Sequence, residues 1–375
     1  MKRPVHICHV LPTFAIGGRE VRTAAVINAL GSAARHTIMP LDSRTDAAAL
    51  LAPAVDFEVR SFPPPSGVFR AVSDVWRLLR DIRPDVVATY NWGTIEAVAA
   101  ALLGRIPVVH TEDGFNADEA TRQFVRRRVI RRALLRWVHQ TLVPSRTLLR
   151  IARGGWALPT AAVTYVPNGV DTQRFSPRRT YCWRRALGIP DDDLVIGTVG
   201  RLSAEKNLPL LISAFNDLGM RRTWLVIVGD GASRNSLAEY AASLECRPRV
   251  LFEGNSPDPA SYYAGFDVFV LSSSTEQMPL ALLEAMASGL PAISTHVGDC
   301  AEMLGSISPP VIVPSGDEAA LTDALRTLAA DHALRRELGI KNRSRVVEEF
   351  SLERMCQTYA QALLGAAGSA KRMNG

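Results

Sequence analysis

The sequence predicts an α/β protein made of two doubly wound domains, each built on a buried parallel sheet. Short β-branched runs alternate with helix-length segments in both halves, which is βαβ organisation. The rhythm breaks once, from Pro167-Asn168-Gly169-Val170-Asp171 to Pro177-Arg178-Arg179, where turn formers and charges follow one another without periodicity. The length, 375 residues, suits two domains of ordinary size. The expected division is therefore a first domain over 1–175, a second over 176–350, and a terminal helix with its tail over 351–375 that packs back on the first domain.

In the first half, Val5–Val10, Thr37–Leu41, Phe57–Val59, Val86–Thr89, Val108–Thr111, Thr141–Val143 and Val163–Val166 read as strands. Segments such as Val21–Leu30 and Val72–Ile82 have helical spacing. In the second half, Leu194–Val199, Leu225–Val228, Val250–Phe252, Val268–Leu271, Pro291–Ser294 and Val311–Val313 repeat the pattern. After Pro314 only helices are expected, the last over about Ser351–Leu364. Two such domains facing each other enclose a cleft, and open α/β sheets bind ligands beyond the carboxyl ends of their strands.

Apolar residues make up 47% and charged residues 21%, which excludes a largely disordered or fibrous chain. Cys8, Cys182, Cys246, Cys300 and Cys356 lie far apart, so neither a disulfide framework nor a zinc site is indicated, and a reducing cytoplasm fits best. The longest apolar run, Ala97–Leu103, is too short to span a bilayer, so the protein is expected to be soluble or to rest on a membrane surface. Residues 1–180 hold 25 basic and 14 acidic side chains (+11) and the remainder 18 and 23 (−5), so the halves differ in electrostatic character. Part of the basic excess lies in 122–138, where Arg128, Arg132 and Arg136 form an i, i+4 row and Ile130, Ala133, Leu134 and Trp137 cluster opposite. That apolar side is expected to pack on the sheet, leaving the arginine row for anionic headgroups or for water.

The chemistry-bearing residues fall in loops after strands. Gly200-Arg201-Leu202-Ser203-Ala204-Glu205-Lys206-Asn207 follows Leu194–Val199 and precedes a helix beginning near Leu208. Arg201 and Lys206, one of only four lysines, could hold a phosphate there or could be two solvated cations. No G-x-x-x-x-G-K-[ST] or G-x-G-x-x-G occurs, which argues against ATP or NAD held by their usual loops. After Val268–Leu271 come Glu276, Gln277, Met278, Pro279, Leu280 and Glu284, with Pro279 suited to a first helical turn. Eight residues of helix rise ~12 Å, enough to separate two ends of a diphosphate-bridged ligand. The carboxylates could bind sugar hydroxyls or be solvated. Gly17-Gly18 before a helix would let backbone approach a phosphate or form a plain turn, and His110, beside Glu112 and Asp113, is a titratable group at a strand end.

In this order the segments resemble the retaining glycosyltransferases of family 4. The matching text is Gly17-Gly18-Arg19-Glu20, Val166-Pro167-Asn168-Gly169-Val170-Asp171, Val199-Gly200-Arg201 through Lys206-Asn207, Val228-Gly229-Asp230-Gly231, and Glu276-x7-Glu284 running on to Gly289-Leu290-Pro291. The resemblance implies the GT-B fold, two facing Rossmann-like domains with an interdomain cleft. It implies transfer of a sugar from a nucleoside diphosphate sugar to a saccharide or lipid-linked acceptor, with retention and without a metal or other cofactor. It also implies roles: Arg201 and Lys206 hold the diphosphate and stabilise the leaving charge; Glu284 binds the ribose; Glu276 and His110 contact the transferred sugar; Gly17 and Gly18 approach the phosphates or the acceptor. Gln277, Met278, Pro279 and Leu280 complete the donor side. Gln277-Met278 replaces the family's commoner Gly-Phe, a variant that resembles a bacterial subgroup working on exported polysaccharides. Asp113-Gly114-Phe115-Asn116 stands where a second histidine or an arginine is frequent. A sugar phosphorylase or epimerase of the same fold remains an alternative, as does a non-catalytic membrane or nucleic-acid binder, although no nucleic-acid signature is present.

Overall fold

The computed structural model describes residues 3–62, 67–115, 119, 123–246, 249–305 and 311–373. Asn116 and Arg122, both within stretches singled out above, lie outside the described residues. The chain divides into two compact units, Met1–Asn168 with Glu353–Gly375, and Gly169–Leu352. The division thus falls before residue 175, because Gly169 and Val170 already belong with the second body. A Cβ on Gly169 would lie 2.7 Å from the Ser351 carbonyl oxygen, and Val170 donates its N–H to Phe350 O. The terminal helix, Leu352–Met373, is longer than expected and belongs mostly to the first unit.

The first unit carries strands β1 (Val5–Leu11), β2 (Ala34–Pro40), β3 (Phe57–Val59), β4 (Val86–Tyr90), β5 (Val108–Thr111), β6 (Gln140–Val143) and β7 (Val163–Tyr165). They form one sheet in the order β3-β2-β1-β4-β5-β6-β7 with parallel pairing throughout. The second unit carries β8 (Leu194–Val199), β9 (Thr223–Val228), β10 (Val250–Gly254), β11 (Val268–Leu271), β12 (Ala292–Thr295) and β13 (Ile312–Val313). Their order is β10-β9-β8-β11-β12-β13, again parallel. Sheets covered on both faces need near-continuous apolar strands, and β1, β4, β9 and β11 are of that kind. In each sheet the order reverses once, between β1 and β4 and between β8 and β11, which marks a crevice at the carboxyl ends of those strands as the natural ligand position.

One expectation fails in the basic segment. The described helix is Val125–Leu135, and Arg136 caps its end. Arg128, Arg132 and Arg136 are exposed, but the face turned inward carries Arg131 and Leu135 rather than Ala133 and Trp137, and Trp137 is 71% exposed. Arg131 can be buried because Nε donates to Glu112 Oε2 at 3.1 Å, Nη2 reaches Glu119 Oε2 at 3.3 Å, and the Trp92, Phe115 and Trp156 rings surround the guanidinium. A charge paired and stacked in this way outcompetes an indole for the inner face.

Candidate active site

In the second unit the loop after β8 and the loop after β11 flank the switch point, and each delivers one charged residue to the other. Lys206 closes a short 3-10 turn (Ala204–Lys206), after which Asn207, with φ 44°, starts the helix Leu208–Leu218. Its Nζ lies 2.6 Å from Glu276 Oε1. Ser273 Oγ donates to the same oxygen at 2.8 Å, and Ser272 Oγ donates to Lys206 O at 2.9 Å. Ser274 N donates to Glu205 O at 2.8 Å, so the two loops are joined by backbone as well as by charge. Arg201, in the same loop as Lys206, is exposed and makes no ion pair among the described residues.

Glycines set how closely these loops approach. Gly229 has φ +136°, and a Cβ there would lie 1.9 Å from Gly200 O; on Gly231 it would lie 2.4 Å from Leu202 O. The loops after β8 and β9 therefore pack backbone against backbone, joined by Gly200 N to Val228 O and Leu202 N to Asp230 O. Gly298, with φ +52°, abuts the carbonyls of Glu276 and Gln277 and lets Asp299 N donate to Gln277 O at 2.8 Å. That segment after β12 fixes the backbone of Glu276.

The helix that follows is Leu280–Ala287, with Pro279 at its N-cap rather than in its first turn. Only four residues of helix separate Leu280 from Glu284, a rise of ~6 Å instead of ~12 Å. Met278 and Pro279 are buried, and Gln277 and Leu280 are partly so. Glu284 Oε2 accepts a hydrogen bond from the Tyr263 hydroxyl at 2.8 Å, and the same hydroxyl lies 3.1 Å from Ala281 O. Burial pushes the Glu284 carboxyl up to about 7, against the lowering effect of the Tyr263 bond and of Arg174. Tyr263 had no signal in the sequence, since it stands on a separate short helix with no motif around it.

In the first unit Gly17 caps the helix Gly18–Leu30 with extended backbone. Glu20 folds back so that its Oε2 would lie 2.7 Å from a Cβ on Gly17, and Arg19 Nη2 pairs with Glu20 Oε1 at 2.5 Å. His110 does not stand at a surface of this unit. It is 0% exposed within β5, its Nδ1 lies 2.9 Å from Thr89 Oγ1, and its Nε2 lies 3.7 Å from Glu112 Oε2. The ring is thus enclosed at the carboxyl end of β5, between Thr89 and Glu112. The loop beyond it instead offers Asp113, gripped in a two-pronged pair by Arg22, which also donates to Asn168 Oδ1 at 3.0 Å. Among the described residues no group of three His, Cys, Asp or Glu side chains could hold a metal ion, and no helix is long and apolar enough to cross a membrane.

Residues 16–174 match the family model for Glycosyltransferase Family 4, and residues 182–345 match that for Glycosyl transferases group 1. The chain is 29% identical over 246 residues to the Escherichia coli UDP-Gal:alpha-D-GlcNAc-diphosphoundecaprenol alpha-1,3-galactosyltransferase, covering 61% of this chain and 62% of that one. It is 32% identical over 180 residues to the lipopolysaccharide core biosynthesis glycosyltransferase LpsE of Rhizobium meliloti, covering 48% and 52%. These matches span between half and two thirds of the relatives' lengths. Among solved structures, Anabaena HepE in complex with UDP superimposes with a TM-score of 0.83 at 18% identity, over 96% of this chain and 100% of that one. Two family models in the order of the two units, on parallel sheets of this topology, establish that the chain belongs to the family 4 glycosyltransferases of the GT-B fold.

Proposed function

We propose that the chain is a retaining, metal-independent glycosyltransferase of the hexosyltransferase type. It moves a sugar from a nucleoside diphosphate sugar to a saccharide or lipid-linked acceptor in bacterial polysaccharide or glycolipid synthesis. The observation that carries this reading is the Lys206–Glu276 pair at the switch point, with Arg201 unpaired beside it. Without donor, the lysine ammonium and the carboxylate neutralise each other. A diphosphate, with its greater charge, displaces the carboxylate from Lys206 and takes the Arg201 fork as a second partner. Glu276, still held by Ser273, is then free to accept hydrogen bonds from sugar hydroxyls. When the bond between the anomeric carbon and the phosphate oxygen breaks, the electron pair leaves on the diphosphate, and Lys206 and Arg201 stabilise it where a metal would otherwise be needed. Glu284, held by Tyr263, receives the ribose hydroxyls. Retention, with the departing phosphate taking the acceptor proton, follows the family.

The E. coli relative is a UDP-Gal-dependent transferase and the HepE structure holds UDP, which favours uridine as the donor base. The chain acts in the cytoplasm, at the inner face of the cell membrane, on which the exposed row Arg128, Arg132 and Arg136 rests when the acceptor is lipid-borne. It uses no nucleic acid. Thermal unfolding with UDP, GDP and ADP tests the donor assignment. One diphosphate, UDP, is expected to stabilise by ~2.7 kcal/mol at 100 times its dissociation constant. No stabilisation by any of the three would contradict the reading.

A further inference from the structure

The second unit has another charged concavity, away from the loops just described. It lies at the amino ends of β11 and β12, between the Pro177–Arg179 segment and the helix His332–Glu349, and has a volume of about 500 Å³. The packing is built rather than incidental. A Cβ on Gly339 of that helix would lie 2.1 Å from Gly289 O, and one on Gly289 would lie 3.1 Å from Pro177. Five arginines line the space: Arg178, Arg179, Arg335, Arg336 and Arg343. The one carboxylate among them, Asp267, is already taken, by Arg179 at 2.8 Å and by buried Arg184 at 2.6 Å.

Three of the five donate to carbonyls, Arg179 Nη1 to Phe266 O at 3.2 Å among them. Arg335 Nη1 donates to Leu328 O and Ala329 O, and Arg343 donates to Thr172 O, Phe175 O and Ala287 O. Such bonds orient a guanidinium without neutralising it. Burial lowers the affinity of both Arg335 and Arg343 for their protons, with Asp267 and Asp331 acting the other way at Arg335. Arg178 and Arg336 are exposed and have no side-chain hydrogen bond or ion pair among the described residues. Three of the five, Arg335, Arg336 and Arg343, lie in the half of the chain whose net charge is −5.

We infer that this pocket is a second anion site, taking a small phosphorylated molecule that carries at least two phosphate charges. Pockets of ~300–1,000 Å³ suit small molecules, and guanidinium forks pre-oriented by carbonyls suit phosphate oxygens. Tyr263, whose hydroxyl binds Glu284, is among the residues that line the pocket. The site itself does not depend on the proposed activity.

The test uses the full chain with Arg201→Ala and Lys206→Ala, which removes the diphosphate partners in the other site, titrated with inorganic pyrophosphate by calorimetry. Saturable binding is expected to persist. Adding Arg178→Glu and Arg336→Glu is expected to weaken it by at least about tenfold, as loss of charge-assisted bonds should. The same charge change at Arg221, an exposed arginine of the second unit that does not line the pocket, should leave it within about twofold. Absence of binding in the Arg201→Ala/Lys206→Ala chain, or binding indifferent to the Arg178/Arg336 change, would overturn the inference. A parallel arm pellets the chain with phosphatidic acid or phosphatidylcholine vesicles. Retention by phosphatidic acid that requires Arg178 and Arg336, without pyrophosphate binding, would overturn the small-molecule class in favour of a lipid headgroup.

Discussion

Glu284 should make donor affinity depend on pH in the neutral range. Its carboxyl is held at about 7 by burial, so in the free protein it is neutral at pH 6 and ionised at pH 8. The carboxylate accepts ribose hydroxyls more strongly than the acid does, so affinity should rise with pH. If only the ionised form binds well, the apparent dissociation constant scales as one plus the protonated-to-ionised ratio. That ratio is ~10 at pH 6 and ~0.1 at pH 8, a change of about tenfold in affinity, or ~1.4 kcal/mol. A nucleoside diphosphate sugar has no group titrating between these values, so calorimetric titration with the donor at pH 6, 7 and 8 isolates the protein's contribution. Glu284→Gln should bind more weakly at pH 8 and show no such dependence. Wild-type affinity constant within twofold from pH 6 to 8 would refute the placement of Glu284 against the ribose.

Lys206→Ala and Arg201→Ala should each lower turnover by roughly 10²–10³, and activity within threefold of wild type for either would remove that residue from the leaving-group site. EDTA should leave the rate unchanged. Gly229→Ala forces a Cβ against Gly200 O at positive φ and should cost ~2–4 kcal/mol, read as a lowered Tm; an unchanged Tm would show that the loops after β8 and β9 do not pack as described. His36, buried on β2 beside His9, is held at about 4 by burial and by His6, so it stays neutral in the fold while the unfolded chain protonates below ~6.5. Stability should therefore be full above pH 6.5 and fall by up to ~3 kcal/mol as pH drops toward 4. Urea unfolding should show a smaller acid loss for His36→Gln than for wild type, and equal losses would contradict the assignment. Sedimentation with anionic vesicles should be salt-sensitive and lost in an Arg128→Glu/Arg132→Glu/Arg136→Glu variant, whereas equal retention by neutral vesicles would sink the membrane proposal.

The fold was legible because parallel strands buried on both faces announce themselves as apolar runs, and every expected run appears as a strand with ends shifted by a few residues. The loops after β8 and β11 were legible for a related reason: charged residues directly after such runs stand out. Lys206 and Glu276 were both identified this way, although nothing in their spacing foretold that they bind each other. What stayed hidden depends on three-dimensional partners. His110 reads as a titratable group at a strand end, and nothing around it in the sequence foretells that its ring is buried against Thr89. Arg131 reads as one more surface arginine, yet two carboxylates and three rings far off in sequence or across a loop bury it. Tyr263 matters only because the sheet order brings its helix under Glu284.

The central claim is sugar transfer with retention from a nucleoside diphosphate sugar, and the most direct test follows the sugar itself. The chain would be incubated with an α-linked UDP-hexose and a polyprenol diphosphate saccharide in EDTA, measuring UDP release and the anomeric configuration of the product by NMR. An α-linked product is expected, with one UDP released per sugar transferred and release dependent on acceptor. A β-linked product, or conversion of the donor when no acceptor is present, would contradict it.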